Sequence, residues 1–372
     1  MSEAAGTIFP NANFTSDDEE APVTEHLFEE SGPHRIQNTP DGLTHMTVSL
    51  PEDEHGMIGR ECGAAECSPG LFKVKPGTGI VTEPHDVAFC PYCRHPDHPT
   101  AFATADQVRY AQDIAIQEAA RGVNRMISRT LGLGPNGKKK IGGGMFSVEF
   151  SLKSRVPTSV ARPLEEELRR DIVCDGCGLA QAVFGLASWS HDCGRDVFLQ
   201  HVHEELVVIR KALADVDDRR QERGARVAAR DIENALEDLV SIFEAAMKHM
   251  TREHLRRAGR TPDEVSAVMA TIRNAYQNVA SATTAFRAHV QGDLMRETAP
   301  SDEESLRETF EKRHPITHNL GVIDRQYLRR AQTGELEGRE IRITVQEVVA
   351  AVDVAEGVLQ RAYAQACPTS IP

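Results

Sequence analysis

At 372 residues the chain has room for two or three domains and a sizeable core, yet only 5% of it is aromatic, with a single Trp, Trp189. Ala, Val, Leu and Ile must therefore do most of the packing, as in helical bundles. The formal charge of −14 is concentrated in residues 1–60, which hold twelve Asp/Glu against two Lys/Arg, so the remainder is near neutral and a polyanionic partner is not excluded. No apolar run approaches membrane-spanning length and no apolar leader follows Met1, so no membrane partner and a cytoplasmic soluble protein are expected. In that compartment the eight Cys read as metal ligands and not as disulfides.

Residues 1–42 are acidic and broken by Pro and Asn, which predicts a tail with little to bury. Thr44–Leu50 alternates as a strand does and opens a folded α+β region expected over 43–170. Within it, Cys62-x4-Cys67 and Cys90-Pro-Tyr-Cys93 form two close pairs around the short strand candidates Leu71–Val74 and Gly79–Val81. Two knuckles of two sulfurs each are what a closed tetrahedral zinc site requires, and such a site is structural. His85, His95 and His98 are available as substitute ligands.

Thr104–Leu131 carries apolar residues at helical spacing and ends in the near-P-loop Gly132-Leu-Gly-Pro-Asn-Gly137-Lys138-Lys139. Lys139 stands where the magnesium-binding hydroxyl would be and a helix precedes the loop, so nucleoside triphosphate binding is rejected. What remains is basic, since residues 121–163 hold nine Lys/Arg and one acid, Glu149. A glycine-flexible loop bearing Lys138, Lys139 and Lys140, followed by a strand over Phe146–Lys153 and by Arg155, suits contact with a nucleic-acid backbone. An ordinary solvated loop is the alternative.

Cys174-x2-Cys177 and Cys193, at 171–196, make a second, degenerate ribbon. The usual fourth ligand would fall at Ser190, and the adjacent His191 is the candidate that completes a Cys3His set. If the site is empty, Val183, Phe184, Leu186 and Trp189 must hold the hairpin.

From Val197 to the end the pattern is helical, with capping boxes at Thr261–Glu264, Ser301–Glu304 and Thr344–Glu347 and a small hairpin expected over Gly334–Ile343. His201 and His203 stand two apart and should face different ways. Late in this region Phe310–Tyr327 places Arg313, His314 and His318 around Pro315, which is expected to stop or kink its helix. An arginine grips phosphate with a planar fork and a histidine moves a proton near neutrality.

Arg313-His314-Pro-Ile-Thr-His318 resembles the Arg-polar-x3-His signature of HEPN domains, and Asn319, Gly321 and Tyr327 look like the continuation seen in one bacterial branch. The resemblance covers about the last 175 residues. It implies an α+β protein whose zinc-ribbon-containing N-terminal region precedes an all-α HEPN-like bundle over 197–372. It implies also a metal-independent endoribonuclease, paired as a homodimer across a shared cleft, in a bacterial defence or toxin-type setting. There Arg313 would stabilise phosphorane charge, His318 would transfer protons and His314 would orient or share that transfer. The alternative is a non-catalytic zinc-ribbon module that binds nucleic acid or protein and dimerises through its helices, with Arg313 and His318 as capping and packing residues.

Overall fold

A computed structural model describes residues 33–38, 44–81, 86–133, 138–141, 148–151, 170–331 and 333–368. The chain divides into two compact units, 1–196 and 197–372. The first is mixed and the second helical, so the α+β class holds. No helix among the described residues is long and apolar enough to cross a membrane.

The first unit is built on a four-stranded antiparallel sheet. Its strands are β3 (Ile58–Glu61), β4 (Leu71–Val74), β9 (Arg170–Val173) and β10 (Ala180–Val183), in the order β3-β4-β10-β9. Strands distant in sequence are thus central neighbours, with Phe72 opposite Val183 and Val74 opposite Gln181. Phe72 is fully buried, edge-on to Phe102 at 6.0 Å and tilted against the His191 ring at 4.9 Å. Lys73, on the opposite face of the strand, is buried and closed by an ion pair of 2.7 Å with Asp53.

Two strands lie before this sheet, β1 (His34–Asn38) and β2 (Thr44–Val48), paired antiparallel with His34 opposite Val48. Strand β1 falls inside the stretch expected to be an unstructured tail. Its five residues show no apolar run, and only pairing with β2 makes them a strand. Strands β5 (Ala88–Phe89) and β6 (Pro96–Asp97) flank the Cys90 knuckle, and helix α1 (Ala105–Thr130) begins at a capping box between Thr104 and Gln107. Tyr110, Ala111 and Ile114 of α1 pack on Val48 of β2. The segment Gly79–Val81 is not a strand. Strands β7 (Lys138–Ile141) and β8 (Val148–Ser151) form a separate hairpin.

The helical unit comprises α2 (Phe198–Ala214), α3 (Val216–Arg223), α4 (Ala225–Arg257), α5 (Pro262–Ile272), α6 (Val279–Val290), α7 (Pro300–Asn319), α8 (Arg325–Ala331) and α9 (Val345–Ala366). The 33-residue α4 is the spine against which α2, α3, α5, α6, α7 and α9 pack. Its stripe of Ile232, Leu236, Leu239, Phe243, Met247 and Met250 is buried, as heptad-like spacing on one face dictates. Phe243 meets Phe310 of α7 edge-to-face at 5.3 Å, and α9 presents Ala351, Ala355, Ala362 and Ala366, small enough for close helix approach. Capping boxes open α5 at Thr261 and α9 at Thr344.

Three local expectations differ. Helix α7 starts at Pro300 with Ala299 as its cap residue, so Ser301 lies within the first turn and caps nothing. Proline, with φ preset and no N–H to satisfy, takes over the start. The helix also runs through Pro315 to Asn319. Proline forgoes only the bond to the Glu311 carbonyl, and Pro315 and Ile316 are buried, so packing outweighs one lost bond near the helix end. Leu320 at φ 52° closes the helix, and the N–H groups of Leu320 and Gly321 both donate to the Pro315 carbonyl. Finally, 334–343 makes a turn, with Arg339 N–H on Leu336 O at 3.3 Å, but no hairpin of its own. It returns to Gly321–Ile323, with Ile323 N–H donating to Arg339 O at 2.8 Å and Ile341 N–H to Gly321 O at 2.8 Å.

Candidate metal centres and a basic cleft

Each half of the sheet leads into cysteines. Strand β3 delivers Cys62, whose N–H donates to the Gly70 carbonyl at 3.0 Å as the chain turns back through Cys67 into β4. The second knuckle is clasped by Cys90 N–H to His95 O at 3.0 Å and Arg94 N–H to Cys90 O at 3.0 Å. These turns bring the Sγ atoms of Cys62, Cys67, Cys90 and Cys93 within 4.8 Å of one another, with Cys62···Cys93 at 3.7 Å and Cys67···Cys90 at 3.6 Å. A tetrahedron with Zn–S of about 2.3 Å has S···S edges of about 3.8 Å. The four sulfurs can hold a metal ion. His95 is half-buried and His98 exposed, both outside the cluster, and His85 lies outside the described residues.

The electrostatics agree with that geometry. The hydrogen bond from Cys90 holds Cys93 down to about 5, while burial pushes Cys67 up to about 12. One thiolate thus forms and its neighbours stay protonated around it. Four thiolates together need a cation between them.

A second cluster joins Cys174, Cys177 and Cys193, all within 4.8 Å, with Cys174···Cys193 at 3.8 Å. These too can hold a metal ion. His191 is not part of it, contrary to the Cys3His expectation. Its ring is buried between Phe72 and Phe102, and Nδ1 is 2.8 Å from the Phe89 carbonyl oxygen. Being one residue too late for the knuckle, it faces the core, and Ser190 instead sets its Oγ 3.3 Å from Cys177 Sγ.

The lysine segment is a strand and not a loop. Alternation along β7 puts Lys138 and Lys140 on one face, both exposed, while Lys139 turns the other way and donates to the Leu131 carbonyl at 2.7 Å. Lys153 and Arg155 lie outside the described residues.

In the helical unit Arg313, His314 and His318 line one cleft of about 630 Å³. Their rings and fork are brought together by α7 alone. The His314 and His318 rings, one turn apart, have centroids 5.2 Å apart, and His314 Nε2 is 3.6 Å from Asp324 Oδ2. Burial lowers the His314 pKa, against the opposing pull of Asp324, so the imidazole is kept neutral near pH 7. Arg313 donates to Gln277 Oε1 at 3.0 Å, and Gln277 in turn donates to Glu244 at 2.8 Å, which fixes the amide orientation. The Arg313 Nε is buried without a hydrogen-bond partner among the described residues.

The cleft also holds residues that sequence reading missed. Arg307 and Arg330 line it, as does Glu311, whose carboxyl is buried, raised in pKa by that burial and bonded by the Asn278 amide. A signal was present: 307, 311, 314 and 318 are spaced 4, 3 and 4, one face of a helix. The other members of the extended motif are architectural. Asn319 Nδ2 donates to Val322 O at 2.6 Å, Gly321 takes φ 81°, and Tyr327 is buried with its hydroxyl on Glu335 at 2.6 Å. His201 is fully buried while exposed His203 pairs with Glu356, so the two do face different ways.

No family model matches the chain, and neither a curated protein nor a solved structure matches it.

Proposed function

We propose that the protein is an endoribonuclease of HEPN type whose active centre is the α7 cleft. The observation that carries this reading is the convergence of Arg313, His314 and His318 in one concave, basic pocket beside Arg307 and Arg330. The neutral, half-buried His314 accepts the proton of a substrate 2′-hydroxyl as that oxygen attacks the adjacent phosphorus. The P–O5′ bond breaks, and His318, on the solvent side, gives a proton to the departing 5′-oxygen. Arg313 holds the non-bridging oxygens as charge develops on them. Held by Gln277, its guanidinium is preorganised for that purpose. No step needs a metal, and DNA lacks the nucleophile.

Zinc in the four-cysteine cluster would be structural, with all four positions filled by thiolate. Lys138 and Lys140 supply sequence-independent phosphate contacts, and two copies of the chain pair to give a cleft with two motifs. The test is incubation of the purified protein with labelled RNA. Products should end in 2′,3′-cyclic phosphate and 5′-hydroxyl, and His314→Ala or His318→Ala should slow cleavage on the order of 10²–10⁴-fold. RNA binding without cleavage would favour the non-catalytic module, and 3′-hydroxyl ends would exclude this chemistry.

A further inference from the structure

The two cysteine clusters are copies of one construction. In each, a strand runs into a first pair of ligand positions, a second strand returns, and a later knuckle closes the set. The knuckles match bond for bond. Cys90 N–H to His95 O at 3.0 Å corresponds to Ser190 N–H to Arg195 O at 2.9 Å, and Arg94 N–H to Cys90 O at 3.0 Å corresponds to Gly194 N–H to Ser190 O at 2.9 Å. Arg94 and Gly194 both sit at φ 61°. Strands β4 and β10, one from each copy, pair antiparallel at the centre of the sheet, as a local twofold relation requires. Ser190 therefore occupies the place of Cys90, with its side chain fully buried and its Oγ bonded to Cys177 Sγ and Cys174 Sγ.

We propose that Cys174, Cys177, Cys193 and the Ser190 hydroxyl form an exchangeable site for a borderline-soft divalent cation such as Zn²⁺, beside a permanent four-thiolate site. The distances fit. With Zn–S of about 2.3 Å and Zn–O of about 2.0 Å, tetrahedral edges are about 3.8 Å between sulfurs and about 3.5 Å from sulfur to oxygen. The structure has 3.8 Å for Cys174···Cys193 and 3.3 Å for Cys177···Ser190. On binding, the three thiols release their protons to solvent and Ser190 contributes an oxygen lone pair. A neutral hydroxyl is a weaker and harder donor than thiolate, so this ion is held less tightly. Cys177 and Cys193 are partly exposed, whereas Cys174 and Ser190 are buried, so the ion enters and leaves past the two outer sulfurs. The oxygen corner makes the second centre responsive to metal supply at concentrations where the first stays filled. It stands independently of the α7 cleft.

The experiment measures metal content and chelator-driven release on the full chain. The parent protein, saturated with zinc and freed of excess, should carry two ions per chain and release them in two phases. Ser190→Cys should slow the fast phase by about tenfold or more, at least the effect that outer-shell changes alone produce. Ser190→Ala should accelerate that phase or remove the ion, leaving the slow phase unchanged. Should a variant fold poorly, stepwise Co²⁺ loading of the unaltered chain gives a separate reading. The second equivalent should add thiolate-to-cobalt absorption about three-quarters as intense as the first, for three sulfurs against four. A single ion per chain at zinc saturation, a Ser190→Ala release trace identical to the parent, or a second cobalt spectrum with four-sulfur intensity would each overturn the proposal.

Discussion

His249 gives the helical unit a calculable sensitivity to acid. Its ring stacks on Phe198 with centroids 4.5 Å apart, Phe198 stacks in turn on Tyr363 at 5.1 Å, and α2, α4 and α9 are joined through the three rings. Burial holds the imidazole pKa down to about 4, with Arg252, Arg256 and Arg257 adding to the effect and Glu253 opposing it. The unfolded chain titrates near 6.5, so between those values the unfolded state binds the extra proton and the folded state does not. Stability is therefore full above about pH 6.5 and falls as pH drops toward 4. About 2.5 units at 1.36 kcal/mol each gives roughly 3 kcal/mol, an upper bound because part of the ring remains accessible. His249→Phe keeps the stack and removes the titration. Urea melts of the full chain at pH 7, 6, 5 and 4, followed by helical circular dichroism, should show the parent losing more stability than the variant, with the gap growing through that window. Parallel pH dependences in the two proteins would refute the assignment.

Other outcomes follow from the same geometry. Cys90→Ser reproduces in the first cluster the donor set already present in the second, so its zinc should be stripped by chelator about tenfold faster or more, with a lower melting temperature for the ribbon unit. Gly194→Ala places a methyl 2.8 Å from the Phe89 ring at φ 61°, and urea titration should show a loss of at least about 1–2 kcal/mol from the backbone conformation alone. Replacing Lys138 and Lys140 by Ala should lower the slope of RNA affinity against salt by about one per contact, while Lys139→Ala should leave the slope unchanged, as filter binding across a salt series would show. Arg313→Lys should lose most cleavage while keeping the melting temperature, because a point charge cannot reproduce the fork that Gln277 orients.

Much of the architecture could be read from local pattern. The thiol pairs, the α1 helix, the apolar stripe of α4 and the caps at Thr261 and Thr344 each depend on residues within a few positions of one another. Errors arose where distant packing decides. His191 looked like a ligand by adjacency, but Phe72, Phe102 and the Phe89 carbonyl draw its ring inward. Pro315 is expected to stop or kink its helix; the helix does not stop there, as the burial of that proline and the closing bonds at Leu320 and Gly321 carry it on to Asn319. The pairing of β4 with β10 leaves no local trace at all. In the cleft, Arg313, His314 and His318 were legible as a motif. Arg307 and Glu311 were hidden because a motif read as a linear string ignores the helical face it occupies.

The interleaving of the two ribbons has a consequence for the order of synthesis. All four sulfurs of the first cluster leave the ribosome within a short span, but the strand that pairs with β4 arrives about a hundred residues later. Closing so long a loop costs about 4 kcal/mol of chain entropy, which a metal at the first cluster would reduce only slightly. Until β10 is made, β4 is an uncovered edge beside Phe72, ready to pair with any strand that passes, including β4 of another nascent chain. A chain truncated before residue 170 should therefore keep a filled four-thiolate site and still self-associate.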